Sequence, residues 1–275
     1  MQAILMVNDK DSCTLKCNHC FLNYSGNRTP KDTSELIRTL KSQGFDIRLS
    51  GSELLSEEGY LDCIADSKRE YVMTNGILLI RNPSLYDALS ARGISEIRMS
   101  RHYGISSDLD SAPLDISSKV CKEAKQRGFK VGFMVVITQD NYQLIKHMCD
   151  DAHSLNADSV MLLNYAGSKR LSKDKRPELF DQVIEQRKIY SKDDLEIRIH
   201  GDFGPRPGSR GDELAAQNRY CPAGTEQFVI TPAGDVFGCP LLMQYRIGRF
   251  EDGKIKIEKE LVDGQRDCCL VDLIR

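Results

Sequence analysis

The sequence lacks a long apolar run, a marked excess of either charge, an internal repeat and a low-complexity tract. No apolar stretch approaches the ~18 residues that a membrane-spanning helix needs. The N-terminal residues MQAILMVNDKDS have neither the basic segment nor the long apolar segment of a signal peptide. The formal net charge of −2 gives no electrostatic reason to expect a nucleic acid or an anionic membrane as a partner. We therefore expect a cytoplasmic globular protein, and its 275 residues can form one sizeable core.

Cysteine, by contrast, is abundant and unevenly placed. The ten cysteines form a front group, a back group and three separate positions. In a reducing compartment, clustered cysteines are more often metal ligands than disulfides. The separate cysteines lie in helix-like stretches and are predicted to be small buried apolar side chains. The front group is Cys13, Cys17 and Cys20, the back group is Cys221, Cys239, Cys268 and Cys269, and the separate positions are Cys63, Cys121 and Cys149.

Strand-like segments alternate with helix-like segments up to about residue 200. This alternation predicts βαβ units and a parallel sheet. The pattern fits an α/β fold, either a partial (β/α)6 TIM-like barrel or an open doubly wound sheet. In both folds, functional groups collect at the carboxyl ends of the strands. The predicted strands are 3–7, 46–50, 70–74, 96–100, 130–138, 158–164 and 195–200, and the predicted helices are 34–44, 57–67, 83–93, 115–128, 141–155 and 176–191.

The pattern changes near residue 201. The segment GDFGPRPGSRG is rich in Gly and Pro and predicts a loop or linker. After it, EQFVITPAGDVFGC and RIGRFEDGKIKIEK each predict a β-hairpin. We therefore expect a core domain at residues 1–205 and a small β-rich domain at residues 218–275.

The front cysteines have the spacing CxxxCxxC and follow the first predicted strand. A structural zinc site usually has four ligands, and apart from His19 inside the loop no fourth Cys or His lies nearby with ordinary zinc spacing. An iron–sulfur cluster can accept three cysteines, which leaves one iron open for another ligand. This spacing, shortly after the first strand of a βα-repeat protein, resembles the signature of the radical S-adenosylmethionine (radical SAM) superfamily.

The resemblance implies an enzyme in which Cys13, Cys17 and Cys20 hold a 4Fe–4S cluster. In that family the open iron binds the amino and carboxyl groups of S-adenosylmethionine. An electron then cleaves the sulfonium and gives a 5′-deoxyadenosyl radical, which abstracts a hydrogen atom from the substrate. The resemblance also implies an electron donor such as a flavodoxin or ferredoxin.

Further parts of the resemblance lie at the strand ends. The segment LSGSELL resembles the family's Gly-Gly-Glu motif, with Gly51, Ser52 and Glu53, and this implies that Glu53 accepts a hydrogen bond from the methionine ammonium. Ser52 departs from the motif by replacing its second glycine. The plain alternatives are a solvated loop acid at Glu53 and simple turns at Asn75 and Ser100. The other cofactor contacts that the resemblance implies, polar groups after strands and groups beside the adenine, are His19, Asn75, Ser100, Arg101, Ile137 and Asn164.

The first two back cysteines have the spacing Cx12Gx4C, which predicts a hairpin whose ends approach each other. This arrangement resembles the start of the SPASM domain and of its shortened form, the twitch domain, and it implies a second, auxiliary 4Fe–4S cluster. Adjacent residues in an extended chain point apart. Either Cys268 and Cys269 both bind through a bent backbone, or one is a free thiol that donates a hydrogen atom to a substrate radical, so both are also catalytic candidates. Structural zinc is the alternative. The implied ligands of the auxiliary cluster are Cys221, Cys239, Cys268 and Cys269.

The predicted function is a radical SAM reaction of the oxidoreductase or epimerase type on a small molecule, such as a sugar or aminocyclitol. Peptide maturases of the family often carry an N-terminal leader-binding domain, and a first strand at about residue 3 leaves no room for one. A maturase acting on a ribosomally made peptide is the alternative. A non-enzymatic iron–sulfur or zinc redox protein is the alternative from another class.

Overall fold

Strands and helices alternate through the first part of the chain, as the sequence pattern predicts. The computed structural model describes residues 1–15, 17, 19–104, 114–203, 221–261, 269 and 271–274. The alternating elements are β1 Gln2–Met6, α1 Pro30–Ser42, β2 Asp46–Ser50, α2 Gly59–Asp66, β3 Tyr71–Thr74, α3 Ile77–Arg81, α4 Ser84–Ala91, β4 Glu96–Ser100, α5 Leu114–Gln126, β5 Lys130–Ile137, α6 Ile145–Ser154, β6 Ser159–Asn164, α7 Arg176–Ile189 and β7 Glu196–Ile199.

Five of these strands form a parallel sheet in the order β3-β4-β5-β6-β7. Its registers run from the pair Tyr71↔Glu96 to the pair Leu162↔Ile199. Because the ladders are parallel, every strand ends at the same edge of the sheet, and a helix returns the chain to the opposite edge. Functional side chains after different strands are therefore brought to one edge.

A second sheet joins the two ends of the chain. Its order is β11-β10-β9-β8-β1-β2, and β1 pairs in parallel both with β2 and with β8. The pairs β8–β9, β9–β10 and β10–β11 are antiparallel, so both predicted hairpins are present. The two parts divided by the predicted domain boundary thus share one sheet, and the boundary itself stays a prediction. The strands are β8 Gln227–Ile230, β9 Asp235–Phe237, β10 Arg246–Glu251 and β11 Lys254–Ile257, and a short helix follows, α8 Val271–Ile274.

The parallel strand order is interrupted once. Within the described residues, β2 and β3 belong to different sheets and share no ladder. The α/β fold with a partial TIM-like barrel and a β-rich C-terminal part is confirmed, with this opening between its second and third strands.

Local sequence signals explain where the elements begin and turn. Helix α1 has Pro30 at its first position, and the side chain of Thr29 caps it by accepting from the Asp32 amide at 3.2 Å. Gly234, with φ of +83°, makes the turn between β8 and β9. The first helix thus begins four residues before its predicted start at residue 34.

Strand β5 carries the centre of the apolar core. Its buried side chains Val131, Phe133, Val135 and Ile137 face the helices, as the apolar segment predicts. No helix in the described ranges is long and apolar enough to cross a membrane.

Candidate functional site

The strand ends surround one cavity with a volume of about 1540 Å³. This exceeds the ~300–1,000 Å³ of an ordinary small-ligand pocket. Cysteines from both ends of the sequence line it, whereas the three separate cysteines are fully buried in the core. The fold therefore brings the two predicted cysteine groups to one place. The lining cysteines are Cys13, Cys17, Cys20, Cys221, Cys239 and Cys269.

The front loop reaches the cavity directly after β1. A single 3₁₀ turn at Lys10–Ser12 ends at Cys13. The Sγ of Cys13 accepts from the Leu15 backbone amide at 3.4 Å and from Nδ2 of Asn75 at 3.5 Å. Burial raises the pKa of the Cys13 thiol, against the opposing effect of the Leu15 hydrogen bond. A thiolate at this position therefore needs a nearby positive charge, which a metal centre supplies.

Cys17 and Cys20 complete the front group. The Cys20 amide donates to the Cys17 carbonyl at 3.1 Å, which turns the chain between the two thiols. Among the residues that the structure describes, no three His, Cys, Asp or Glu side chains are arranged to hold a metal ion. In a cubane each thiolate binds a different iron, so a cluster needs a wider spacing than a single ion does. The zinc alternative stays open, and ligation of a cluster stays a prediction.

The Gly51–Ser52–Glu53 loop is held by Asn8, a residue that the sequence analysis missed. Asn8 Oδ1 accepts from the Ser52 amide at 2.8 Å, and Asn8 Nδ2 donates to the Glu53 carbonyl at 2.8 Å. A Cβ added at Gly51 would lie 2.0 Å from Asn8 Oδ1, so only glycine allows this approach. The only sequence signal for Asn8 was its position just after the first strand. Gly51 and Ser52 line the cavity, as predicted for cofactor contacts.

Glu53 lies behind this loop and not among the cavity-lining residues. It is 1% exposed, and its carboxylate accepts from the Leu55 amide, the Thr74 hydroxyl and the Asn75 amide at 2.9–3.2 Å. Burial raises the pKa of Glu53, although these hydrogen bonds oppose the shift. The structure therefore uses Glu53 to join the end of β2 to the end of β3, across the opening between the sheets. It excludes the solvated loop acid, and the contact with a methionine ammonium stays a prediction.

Asn75 lies at the end of β3 and lines the cavity, as predicted. Its Nδ2 donates to Thr14 Oγ1 at 3.0 Å as well as to Cys13 Sγ, and its Oδ1 accepts from the Ile77 amide at 3.0 Å. Asn75 thus connects the third strand to the front cysteine loop, and it is more than a simple turn residue.

The end of β4 divides its side chains between two faces. Ser100 and His102 line the cavity, in agreement with the prediction for Ser100. Arg101 points the other way, towards α5 and α6, because successive side chains of an extended chain alternate. It pairs with Asp151 at 2.7 Å and donates to the Leu114 carbonyl at 2.6 Å. The structure thus corrects the assignment of Arg101 to the cofactor site.

A similar correction applies to β5, by one residue. Ile137 is fully buried and is not a lining residue, whereas its neighbour Val136 lines the cavity. At the end of β6, Asn164 does line the cavity, as predicted. Its Oδ1 accepts from the Leu171 amide at 3.2 Å. The strand alternation of period two accounts for Ile137, whereas Asn164 lines the cavity although it pairs in register with Ile137.

Two histidines meet at the edge of the cavity. The rings of His19 and His102 contact edge to face, with centroids 4.8 Å apart. Burial, with a smaller effect from His19, lowers the pKa of His102 to about 3, and burial also lowers the pKa of His19. His102 Nδ1 accepts from the Val136 amide at 3.2 Å. Both rings are therefore neutral near pH 7, and they supply polar and flat surface without charge.

The back cysteines line the other part of the cavity. Cys221, Cys239 and Cys269 belong to one small apolar cluster around Leu242 and Val271. Burial raises the pKa of Cys239 to about 12, with smaller contributions in the same direction from the nearby Cys269 and Cys221. These thiols would ionise together only with a compensating cationic centre. Cys268 lies outside the described residues, so its predicted roles as ligand and as catalytic thiol, and the catalytic role of Cys269, stay predictions.

Polar groups in the cavity fit a polar cofactor. Among the described residues, four buried side-chain atoms without a hydrogen-bond partner belong to cavity-lining residues: His19 Nδ1, Ser52 Oγ, Asn164 Nδ2 and Asp202 Oδ1. Buried polar atoms normally have a partner, so such atoms mark places where a ligand completes the site. Three of the four, His19, Ser52 and Asn164, were predicted to contact S-adenosylmethionine, whereas Asp202 was not. Together with the front cysteines, these polar groups fit that cofactor and its cluster.

Comparison with known proteins shows similarity in structure. No protein-family model and no curated protein is similar enough in sequence to match the chain. Streptococcus suis SuiB bound to S-adenosylmethionine is similar with a TM-score of 0.67 and 20% identity. SuiB bound to the precursor peptide SuiA gives a TM-score of 0.69 at 18% identity, and anSMEcpe with bound AdoMet gives 0.64 at 15% identity.

The alignments cover nearly all of this chain but less of its neighbours. They include 94% of the chain against both SuiB structures and 92% against anSMEcpe. The chain spans only 62–63% of the length of SuiB and 78% of anSMEcpe. At these identities the likeness establishes the fold. The chain therefore has the partial-barrel fold that is also found in SuiB and anSMEcpe.

Proposed function

We propose that this protein is a radical SAM enzyme that modifies a peptide. The observation that carries the proposal is the convergence of two cysteine groups and four partnerless polar atoms on one cavity, in a fold shared with SuiB. When bound, the front cluster and S-adenosylmethionine would supply a 5′-deoxyadenosyl radical that takes a hydrogen atom from a C–H bond. A flavodoxin or ferredoxin is the proposed electron donor.

The chain's own residues hold and orient these groups. Cys13, Cys17 and Cys20 would hold the front cluster, and Asn75 fixes Cys13 by donating to its sulfur. Ser52 and Asn164 would bind polar groups of S-adenosylmethionine.

A peptide is favoured over the small molecule that the sequence analysis preferred. SuiB has been solved with the precursor peptide SuiA, and anSMEcpe with the Cp18Cys peptide. The cavity volume of about 1540 Å³ also leaves room for an extended substrate beside the cofactors.

An oxidoreductase-type reaction is favoured over epimerisation. Three described back cysteines lie together as a ligand set for an auxiliary cluster, whereas an epimerase needs a free thiol beside the substrate. Turnover in deuterium oxide tests this choice, since an epimerase thiol would place solvent deuterium on the product carbon.

The first test is cleavage of S-adenosylmethionine. Anaerobically reconstituted protein with a reductant should form 5′-deoxyadenosine, and the combined replacement of Cys13, Cys17 and Cys20 by Ala should abolish it. Cys149→Ala is the matched control, because Cys149 is fully buried and does not line the cavity. Equal activity of the triple variant and the control would refute the assignment.

The second test identifies the substrate class. Peptides from a uniformly deuterated proteome should transfer deuterium to 5′-deoxyadenosine, as mass spectrometry would show, and a pool of deuterated sugars should not. Transfer from the sugars alone would restore the small-molecule hypothesis.

A further inference from the structure

The C-terminal helix α8 is fastened to the core by a buried cluster of ions. Asp272 lies between Arg170 and Arg176, and its carboxylate accepts from Arg170 Nε at 2.9 Å and from Arg176 Nη1 and Nη2 at 2.7 and 2.8 Å. The three side chains are only 5–11% exposed. Two guanidinium groups share one carboxylate here, although Asp272 lies 102 residues after Arg170 and 96 residues after Arg176.

The two arginines are themselves fixed by the barrel. Arg176, at the start of α7, also donates to the Phe203 carbonyl at 2.7 Å. Arg170 donates to the carbonyls of Tyr165 and Asp202 at 3.1 and 2.6 Å. Both carbonyls lie at the cavity edge, just after β6 and after β7. The barrel thus holds Arg170 and Arg176 in place, and their two guanidinium groups bind the Asp272 carboxylate.

Cys269 lies beside Arg170 and lines the cavity. Arg170 Nη2 is 3.6 Å from Cys269 Sγ, within reach of a hydrogen bond to sulfur. Cys269 is 8% exposed and packs in the same apolar cluster as Cys221 and Cys239. Only two residues separate it from Asp272, so the position of the carboxylate fixes the position of the thiol.

We propose that Arg170, Arg176 and Asp272 form a latch that positions Cys269 as a ligand of the auxiliary cluster, with Arg170 donating a hydrogen bond to its sulfur. The inference rests on the proposed function, because it assigns the ligand to that cluster. Cys221 and Cys239 come from one hairpin, whereas Cys269 comes from a tail that the latch holds against the core. The three latch residues act through Cys269 and are positioning residues.

The latch can be tested without a cluster, by alkylation of the cluster-free full chain with iodoacetamide. Asp272→Asn keeps the side-chain shape but places an amide nitrogen against arginine donors. It should raise the alkylation rate of Cys269 more than about tenfold, because local opening exposes the thiol. Cys149, fully buried in the core, should keep its rate and so report that the barrel stays folded. Asp235→Asn is the control, since Asp235 pairs with Arg246 near the surface.

Iron content tests the ligand assignment. In a chain with Cys13, Cys17 and Cys20 replaced by Ala, about four irons should remain in the auxiliary cluster. Adding Asp272→Asn should reduce this to less than about one iron per chain, and Asp235→Asn should not. Adding Arg170→Met should also reduce the iron content, because it removes one of the two arginines that hold Asp272 and the hydrogen bond to Cys269 Sγ.

The alkylation rate of Cys269 and the iron content distinguish a failure of the latch proposal from a failure of the auxiliary-cluster proposal. An unchanged alkylation rate of Cys269, or an unchanged iron content, in the Asp272→Asn variant would overturn the latch proposal. If the parent variant without front cysteines binds no iron at all, the auxiliary cluster is refuted together with this ligand assignment, while the alkylation rates still decide whether Asp272 holds the tail.

Discussion

Individual side chains in this protein make contacts that no sequence motif indicates. Glu53 occupies the position of the acid in the predicted Gly-Gly-Glu-like motif. Its carboxylate is buried and accepts hydrogen bonds from three donors of the protein. His102 follows β4 without any motif, yet it is buried at the cavity edge against His19. Burial raises the pKa of Glu53 and lowers the pKa of His102.

Glu53→Gln should destabilise the protein. The amide nitrogen of Gln would face one of the three donors that now point to the carboxylate, so at least one buried hydrogen bond is lost. We expect the free energy of unfolding, measured with urea, to fall by about 1–3 kcal/mol. Glu57→Gln, at an exposed neighbour, should change it by less than about 0.5 kcal/mol. Equal effects of the two variants would show that the Glu53 contacts are not important for stability.

His102 should make the protein less stable in acid. The pKa of His102 is lowered from 6.5 to about 3 in the folded chain, so only the unfolded chain takes up this proton between those values. Acidification therefore favours unfolding, by about 2 kcal/mol between about pH 7.5 and about pH 5. His102→Asn keeps an acceptor for the Val136 amide and should remove this part of the pH dependence. Urea titrations at both pH values measure the difference.

The control for that measurement is His153→Asn, at an exposed position, which should retain the wild-type pH dependence. If His102→Asn retains it as well, the buried neutral state of His102 is ruled out as the cause.

At the scale of elements, the period-two alternation of strands determines which residues reach the cavity. Ser100 and His102 face inwards and Arg101 faces the helices, and the same rule separates Val136 from Ile137. A strand can be located from sequence while its inward face is assigned wrongly, because an error of one residue exchanges the two faces.

Arg101→Met should therefore affect stability and not cofactor binding. Arg101 is 3% exposed and is paired with Asp151, so its loss leaves a half-buried carboxylate that, among the described residues, has no cation and only the Tyr103 hydroxyl as a donor. The free energy of unfolding should fall by about 3–5 kcal/mol, against less than about 1 kcal/mol for the surface control Arg246→Met. Per folded molecule, the dissociation constant for S-adenosylmethionine should not change. A weakened dissociation constant with unchanged stability would place Arg101 in the cofactor site after all.

At the scale of the whole molecule, strands from the two ends of the chain belong to one sheet. Strand β8 extends the sheet of β1 with the register Gln2↔Gln227 to Leu5↔Ile230, and Arg28 donates to the Thr231 carbonyl at 2.7 Å. The C-terminal strands thus cover an edge of the barrel that would otherwise expose unpaired backbone groups.

A chain ending at residue 217 should therefore fail to fold into a stable monomer. It would expose the edge of β1, and edges of this kind promote aggregation. Sedimentation and circular dichroism should show aggregates or loss of cooperative unfolding. The control is a full chain with the four back cysteines replaced by Ala, which removes the proposed auxiliary ligands but keeps every strand and should remain folded. A soluble, cooperatively unfolding chain of residues 1–217 would contradict this view.

The sequence by itself determined the properties that short segments carry. The CxxxCxxC and Cx12Gx4C spacings, the alternation of strands with helices and the turn at Gly234 are all local, since each depends on neighbours within one loop or element. Tertiary structure alone decided which side chains meet: Asn8 with the Glu53 loop, Glu53 with Asn75, and Asp272 with Arg170, 102 residues away. Such pairs are chosen by sheet register and burial, which place distant residues together, and no local pattern encodes that proximity.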